Sequence, residues 1–395
     1  MDNQQRLNFY SFFNMIDYPS LARIELNSIS LGFKYFDVSS ASKITGGLNR
    51  FEKNTIKLLT ANSPCKLSNL LETTVSNLQS LINHPNYISF KIPKRKGGTR
   101  DIYAPEGQLK TIQKNLNFFL QSYFLCVKPN EVHGFVMHPK SMHLNCNIVE
   151  NAKMHSQKKY VLNIDLKDFF PSISAFQVKE MFLSQLFGYP EHISTALALL
   201  TTYEGKLPIG APTSPVISNF ICKKLDADLI EFAIQNNLTY SRYADDLTFS
   251  SNSKIEQDSM LGIRELIQQN KFKINEKKFR LQSSNRKQTV TGITVNEKVN
   301  VDRKQLKKIR AMLHEWKTQG LLNATIGHFP YSNAGLHIYY LKERFMNRLK
   351  GYIDFVGQVR GKNDLIYLRF KSQYKENMKC LKPSDPKDPF NPDYH

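Results

Sequence analysis

Three aspartates in two short hydrophobic segments constrain the fold most strongly. Asp165 closes the apolar run YVLNID, which predicts a buried strand over residues 160–166. Asp245 and Asp246 lie within TYSRYADDLTFS, which predicts two short strands joined by a tight turn over residues 239–250. Each observation alone has an ordinary explanation, because an Asp at a strand end can cap the next helix and an Asp-Asp pair suits a turn.

Taken together, the three carboxylates indicate a metal site. Acidic groups on adjacent strands repel one another, and a divalent cation removes that repulsion. Two Mg²⁺ ions about 4 Å apart can activate an attacking hydroxyl and stabilise a leaving oxygen in phosphoryl transfer. We therefore expect Asp165, Asp245 and Asp246 to hold two Mg²⁺ ions, as in a polymerase or a nuclease.

The charge of the chain favours a polyanionic partner. Lys and Arg total 54 against 34 Asp and Glu, a net charge of +20 that fits nucleic acid first and an anionic membrane second. No run of about 18 apolar residues and no secretory signal pattern is present, so we expect no membrane span. Five scattered cysteines without a C-x-x-C pair indicate reduced thiols in a cytoplasm rather than a zinc site: Cys65, Cys126, Cys146, Cys222 and Cys380.

Hydrophobic spacing predicts further elements around these strands. Residues 89–105 predict two strands joined by a basic Gly-Gly turn. Residues 108–127 and residues 215–236 each carry apolar side chains at helical spacing, and each is predicted to form one helix.

Two helix starts are predicted from capping residues. Asp168 is expected to cap a helix that begins near Ser172, and Asp302 is expected to cap a helix that ends at Gly320. Residues 300–371 carry 14 Lys or Arg and 5 Asp or Glu, a net charge of +9. We therefore expect the C-terminal part to be helical and strongly basic.

Three segments in a fixed order resemble the motifs of reverse transcriptases. Residues 243–246 (YADD) match the Y-x-D-D hairpin, and residues 163–172 (NIDLKDFFPS) resemble the first catalytic motif. Residues 207–215 (LPIGAPTSP) resemble the loop that contacts nucleotide and template. Within this family the chain most resembles the bacterial retron enzymes, because residues 151–155 (NAKMH) match N-A-x-x-H and residues 290–292 (VTG) match V-T-G.

The resemblance implies an α+β fold with the right-hand polymerase architecture, in which an antiparallel-sheet palm lies between fingers and a helical thumb. The implied divisions are 1–88 for an N-terminal helical extension, 89–160 for the fingers, 161–299 for the palm, 300–371 for an RNA-binding thumb and 372–395 for a flexible tail.

The resemblance also implies roles for individual residues. Asp165, Asp245 and Asp246 form the catalytic metal site. The nucleotide-binding residues are Lys94, Arg100, Phe170, Gly210 and Ala211. The primer- and RNA-binding residues are Tyr243, Asn151, His155, Val290, Thr291 and Gly292.

Several of these roles have structural alternatives. Phe170 lies where the family has an aromatic steric gate against a ribose 2′-OH, and the structural alternative is a core phenylalanine. His155 without a Cys or His partner set is expected to be structural or to contact RNA. Ile209 stands where the family commonly has Gln, so a hydrogen bond to the nucleotide sugar is not expected there.

Basic residues surround the predicted nucleotide site. The turn at Gly97-Gly98 is flanked by cations that can clamp a triphosphate or a template backbone, and the alternative is a solvated basic turn. These cations are Lys94, Arg95, Lys96 and Arg100. Either Lys277 or Lys278 occupies the place of the family's lysine near the leaving pyrophosphate.

The implied activity is RNA-directed DNA synthesis on the enzyme's own structured non-coding RNA. Priming from the 2′-OH of a guanosine would give a branched RNA–DNA product, and dNTPs, the cognate RNA and an anti-phage effector protein are the expected partners. The alternatives are a reverse transcriptase of another lineage such as the group II introns, an RNA-templated RNA polymerase, a metal-dependent nuclease and a non-catalytic RNA-binding scaffold of the same fold.

Overall fold

A computed structural model of the protein describes residues 49–94, 97–137, 146–329 and 338–381. Within these ranges the helices are α1 (Arg50–Leu59), α2 (Pro64–Leu70), α3 (Val75–Asn83), α4 (Gly107–Val127), α5 (Ile148–Lys153), α6 (Ala175–Leu183), α7 (Glu191–Thr201), α8 (Ser214–Ile221), α9 (Lys223–Gln235), α10 (Gln257–Gln269), α11 (Arg303–His328), α12 (Ile338–Arg360) and α13 (Leu365–Lys379). The strands are β1 (Tyr87–Pro93), β2 (Thr99–Pro105), β3 (Tyr160–Asp165), β4 (Thr239–Tyr243), β5 (Asp246–Ser251), β6 (Arg280–Ser283), β7 (Thr289–Val290) and β8 (Ile293–Thr294). The mixed composition confirms the predicted α+β class.

The described residues divide into two compact units. The first contains the described residues up to 146 together with 163–249 and 255–280. The second contains 147–162, 250–254 and the described residues from 281 onward. No helix within the described ranges has both the length and the apolar character required to cross a bilayer.

The four-stranded sheet has the strand order β4-β5-β3-β6 and carries the predicted acidic segments. Strand β3 buries Val161, Leu162 and Ile164 almost completely, which explains its nearly continuous apolar sequence. Strands β4 and β5 are joined by the two residues Ala244 and Asp245, and such a short connection requires antiparallel strands. The predicted strand and hairpin are both confirmed.

The hairpin of β1 and β2 in the first unit is antiparallel, with Phe90 opposite Ile102 and Ile92 opposite Arg100. Helix α4 follows it and buries Leu116 and its neighbours on one face. The two strands predicted over 89–105 and the helix predicted over 108–127 are therefore confirmed.

Two predicted helices are wrong in detail. The segment 215–236 forms two helices, α8 and α9, which divide at Cys222. Helix α6 begins at Ala175 rather than near Ser172, because Ser174 caps it and Gln177 completes a reciprocal capping box. Asp168 does not cap this helix. It is exposed and has a positive φ of 48° in the turn after β3.

Helices α11, α12 and α13 form the core of the second unit. The Asp302 carboxylate accepts a hydrogen bond from the Lys304 N–H at 2.9 Å, which confirms the predicted N-cap. Gly320 has a non-helical φ of 82° and divides α11 into two helical segments, so the first segment ends at Gly320 as predicted. Trp316 lies edge-on to Phe345 with ring centroids 6.0 Å apart.

The boundary predicted for the C-terminal tail differs from the structure. Helix α13 continues to Lys379, so residues 372–379 are helical. Residues 382–395 of the predicted tail and residues 1–48 of the predicted N-terminal extension lie outside the described residues. The remaining part of that extension contains helices α1 to α3. The assignment of fingers, palm and thumb stays a prediction.

Candidate active site

The aspartate at the end of β3 and the acidic hairpin turn are held side by side. The backbone N–H of Leu166 donates to the carbonyl of Asp245 at 3.0 Å, immediately beyond Asp165. Asp246 begins β5, which is the neighbour of β3 in the sheet. The structure thus brings together the three carboxylates that the sequence predicted to act as one group.

The electrostatics of the three carboxylates reflect their proximity. Burial and the charge of Asp165 raise the pKa of Asp245. Burial and the charges of Asp245 and Asp165 raise the pKa of Asp246 to about 6. Asp246 is exposed to solvent, so burial alone does not account for its raised pKa. Repulsion from the two neighbouring carboxylates contributes to it.

Two residues beyond β3 bind the Asp165 carboxylate. Asn275 donates from Nδ2 to Asp165 Oδ2 at 3.0 Å, and the Lys278 ammonium forms an ion pair with Oδ1. Desolvation lowers the pKa of Lys278, but its bond to Asp165 and the charges of all three aspartates outweigh this and raise it. Of the two lysines left open by the sequence, Lys278 is therefore the one at the site, whereas sequence reasoning missed Asn275.

The donor set has the chemistry that a divalent cation requires. Asp165, Asp245 and Asp246 offer hard carboxylate oxygens, and their mutual repulsion would be relieved by bound Mg²⁺. Among the residues that the structure describes, no group of three His, Cys, Asp or Glu side chains is already arranged to hold a metal ion. Lys278 supplies the positive charge next to Asp165.

The predicted nucleotide-binding residues all lie in the first unit, and the charge of Arg100 reaches the acidic turn. Phe170 is half-buried and stacks on Phe135, with ring centroids 5.6 Å apart and planes inclined by 29°. Arg100 on β2 is close enough for its charge to lower the pKa of Asp245 against the larger effect of burial. Lys94 is exposed and joins the turn through a backbone bond to Gly98 at 2.9 Å. Arg95 and Lys96 lie outside the described residues.

Gly210 is required where the loop before α8 approaches β2. Its φ is 120°, and an added Cβ would lie 2.8 Å from Ile102 Cγ2 and 3.0 Å from the Tyr103 carbonyl oxygen. The Tyr103 N–H donates to the carbonyl of Ile209 at 2.8 Å. This contact gives Gly210 a packing role in addition to its predicted role near the nucleotide, whereas the predicted partner Ala211 is buried.

The two motifs typical of the retron enzymes lie in the second unit. Asn151 and His155 are buried, and His155 Nδ1 lies 2.7 Å from Ser250 Oγ, which favours the structural alternative for this histidine. Thr291 and Gly292 both have positive φ, as a two-residue hairpin turn between β7 and β8 requires. The Thr291 hydroxyl donates to the carbonyl of Ile148 at 3.3 Å, and Val290 is buried. An RNA contact by these residues stays a prediction.

A buried ion pair beneath the Y-x-D-D turn was not anticipated from the sequence. Arg242 is fully buried, and its Nε and Nη2 each donate to the carboxylate of Asp226 at 2.7 Å. Its Nη1 donates to the Ala244 carbonyl at 3.1 Å and to Asn219 Oδ1 at 2.9 Å. Tyr243, the predicted primer contact, directly follows Arg242 in the sequence and is half-buried. Burial raises the pKa of its phenol.

Gly134 contacts the backbone of the same turn. A Cβ at this position would lie 2.2 Å from the Ala244 nitrogen, and Asn219 Nδ2 donates to the Gly134 carbonyl at 3.0 Å. An Arg immediately before Y-x-D-D is the only local signal that could have pointed to this arrangement, since its partner lies 16 residues away on α9.

Comparison with known proteins gives consistent matches. Residues 92–295 match the family model described as reverse transcriptase (RNA-dependent DNA polymerase). The retron Ec86 reverse transcriptase of Escherichia coli is 30% identical over 329 residues, which cover 80% of this chain and 90% of that protein. The retron Mx65 reverse transcriptase of Myxococcus xanthus is 35% identical over 250 residues, which cover 58% of this chain but only 56% of that longer protein.

Comparison with solved structures gives telomerase from Candida albicans, at a TM-score of 0.39 and 11% identity over 74% of this chain and 63% of that chain. A foamy viral protease-reverse transcriptase gives a TM-score of 0.36 and 16% identity over 74% of this chain and 43% of that chain.

The family match covers more than half of the chain and includes all three aspartates of the site. The Ec86 match extends over nearly the whole length of a retron enzyme. The chain therefore belongs to the reverse transcriptase (RNA-dependent DNA polymerase) family and, within it, to the retron reverse transcriptases.

Proposed function

We propose that this protein copies part of its own structured non-coding RNA into single-stranded DNA that stays joined to the RNA. The observation that carries the proposal is the convergence of Asp165 with the Asp245-Asp246 turn in a chain whose relatives are named retron reverse transcriptases. A non-catalytic scaffold has no need of three repelling carboxylates, and the ordered polymerase motifs argue against a nuclease.

Asp165, Asp245 and Asp246 would hold two Mg²⁺ ions through their carboxylate oxygens. When bound, Mg²⁺ lowers the pKa of the attacking hydroxyl and neutralises charge on the transferred phosphate. Asn275 keeps the Asp165 carboxylate in a fixed orientation through its 3.0 Å hydrogen bond. The protein's contribution is thus to hold three ligands in place before substrate arrives.

Lys278 supplies the proton for the leaving group. Its ammonium lies within the acidic cluster, whose negative charges favour the protonated form of the lysine and raise its pKa. As a general acid it donates a proton from Nζ to the leaving pyrophosphate oxygen, which improves the leaving group. Arg100 and Lys94 on the β1–β2 hairpin bind the triphosphate oxygens before this step.

Phe170 selects deoxynucleotides. Its ring stacks on Phe135, and the stacking restrains it beside the strand that ends at Asp165. A ring held in this way excludes a ribose 2′-OH by steric overlap. The rest of the RNA–DNA hybrid is gripped by the basic helices α11 to α13 through phosphate contacts, which makes binding dependent on salt.

The proposed partners follow from this activity. They are the cognate structured RNA, the four dNTPs, the RNA–DNA product and an effector protein that acts with the enzyme against phage. The five cysteines are free thiols within the described ranges, which fits the proposed location in a bacterial cytoplasm.

Expression of the protein together with its flanking chromosomal non-coding DNA tests the proposal. We expect a short single-stranded DNA that remains attached to RNA until a 2′,5′-debranching enzyme is added. An Asp245→Asn variant should yield none. DNA that is extended from a free 3′-OH primer and is indifferent to debranching would instead indicate a reverse transcriptase of another lineage.

A further inference from the structure

We infer that Arg242, paired with Asp226, is a positioning residue that fixes the Y-x-D-D turn and thereby sets the placement of Asp245 and Asp246. This inference rests on the proposed polymerase function, because it assigns the turn its role in holding Mg²⁺. Arg242 touches neither carboxylate, and its effect on the site runs through the carbonyl of Ala244.

The ion pair has the geometry of a clamp. Two parallel bonds of 2.7 Å join the Arg242 guanidinium to the Asp226 carboxylate, and both side chains are fully buried. Tyr240 donates a third bond to Asp226 Oδ1 at 2.9 Å. With α9 carrying the carboxylate and β4 carrying the guanidinium, the pair fixes strand to helix in one orientation.

The free edge of the guanidinium then reaches the turn. Nη1 donates to the carbonyl of Ala244, whose φ of 60° lies in the left-handed region that an alanine seldom adopts. A residue in this conformation persists only where its surroundings hold it there. Arg242 supplies the hydrogen bond on one side of Ala244, and the backbone around Gly134 leaves no space on the other.

The backbone of Arg242 is fixed as well. Its N–H donates to the carbonyl of Glu131 at 2.9 Å, and its own carbonyl accepts from the His133 N–H at 2.9 Å. The side chain therefore starts from a fixed Cα and ends on the turn. A planar group with five N–H donors can meet Asp226, Asn219 and Ala244 at once, which a lysine ammonium cannot do.

Two variants separate positioning from folding. Truncating Arg242 alone would leave the Asp226 carboxylate buried without a charged partner. The first variant therefore removes both charges and the Tyr240 hydroxyl together, as Tyr240→Phe/Asp226→Leu/Arg242→Met. The second, Arg242→Lys, keeps a positive charge opposite Asp226. Tyr240→Phe alone is the matched control, because it removes one bond to Asp226 and leaves the bond from Arg242 to Ala244 intact.

The readouts are the melting temperature, the kcat and KM for dNTP in primer extension, and the affinity of the nucleic-acid-free protein for Mn²⁺ measured by EPR. In both variants we expect a cooperative melting transition, a kcat reduced about 10- to 100-fold, and Mn²⁺ binding weakened about 10- to 100-fold. The Tyr240→Phe control should match the wild type in kcat and in Mn²⁺ affinity.

A folded variant of either kind with wild-type kcat and wild-type Mn²⁺ affinity would overturn the inference. If one of the two variants does not fold, the other decides. The Mn²⁺ measurement is independent of catalysis, so an inactive wild type would refute the proposed polymerase function while the inference about the turn remained testable by metal binding.

Discussion

The backbone N–H of Leu166 donates to the carbonyl of Asp245 at 3.0 Å and so ties the end of one strand to the tip of a hairpin about 80 residues further along the chain. Because Leu166 directly follows Asp165, this single bond places the first acidic residue beside the turn that holds the other two. The backbone hydrogen bonds of the sheet thus bring the acidic residues together, and side chains of the surrounding elements then adjust their positions.

Replacing Lys278 by Ala should reduce the rate of DNA synthesis, since this ammonium lies among the three carboxylates and is the proposed general acid. The expected loss in kcat is about 10²-fold at saturating dNTP. The adjacent Lys277→Ala is the matched control and should stay within about twofold of the wild type. Equal losses in the two variants would contradict the assignment of Lys278.

Strand β3, the hairpin of β4 and β5 and the start of α11 could be predicted from the sequence, because each depends on neighbouring residues. The apolar run before Asp165, the alternation around YADD and the Asp302 cap all depend on short-range patterns. The break at Cys222 was not predictable, because the apolar face continues through it. Asp168 is a good capping residue by type, but Ser174 together with Gln177 offers two reciprocal bonds.

The parts of the site that were missed depend on tertiary contacts. Nothing near Arg242 in sequence reveals that Asp226 on a preceding helix will be its partner. The sequence does not show that Gly134 must be a glycine, because the residue that leaves no room for a Cβ there is Ala244, 110 positions away. Asn275 was missed because an Asn in a loop has no sequence signature for binding a carboxylate.

Replacing Gly134 by Ala should displace the Y-x-D-D turn, because the added Cβ would lie 2.2 Å from the Ala244 nitrogen. We expect a lower melting temperature and a fall in kcat of about 10²-fold, as a small misplacement of reacting groups can cause. Gly351→Ala is the matched control. It has open space around its added Cβ within α12 and should keep wild-type kcat with unchanged or slightly higher stability. A Gly134→Ala enzyme with wild-type kcat would refute the role assigned to this contact.

The stability of the metal-free protein should depend on pH through Asp246. Its pKa is raised in the folded state from an ordinary 3.8 to about 6, so the folded protein binds this proton more tightly than the unfolded chain. Stability from this group is therefore highest below the lower value and falls as pH rises through the window between the two. In EDTA, Asp246→Asn should be more stable than the wild type near pH 7, and this difference should disappear near pH 4.

Melting curves of the two proteins from pH 4 to pH 7 check this sign. Mg²⁺ should reduce the difference at pH 7, because a bound cation relieves the repulsion that the substitution removes. A difference in melting temperature that grows as pH falls would contradict the raised pKa.

Replacing Phe170 by Ala should allow ribonucleotides to enter. The ring stacked on Phe135 is the proposed obstacle to a 2′-OH, so its removal should raise kcat/KM for rNTPs relative to dNTPs by at least about tenfold. Single-nucleotide incorporation with each substrate measures the ratio. Unchanged discrimination in a folded Phe170→Ala variant would leave Phe170 as a core residue only.

Primer extension by the purified protein tests the central claim most directly. The reaction contains an RNA template, a DNA primer, the four dNTPs and Mg²⁺, and it is repeated with RNA that copurifies from the host. We predict Mg²⁺-dependent DNA synthesis by the wild type and none by Asp245→Asn/Asp246→Asn, whose melting curve in EDTA should show an intact fold. Synthesis that survives in the double variant, or no synthesis by the wild type on either template, would contradict the account.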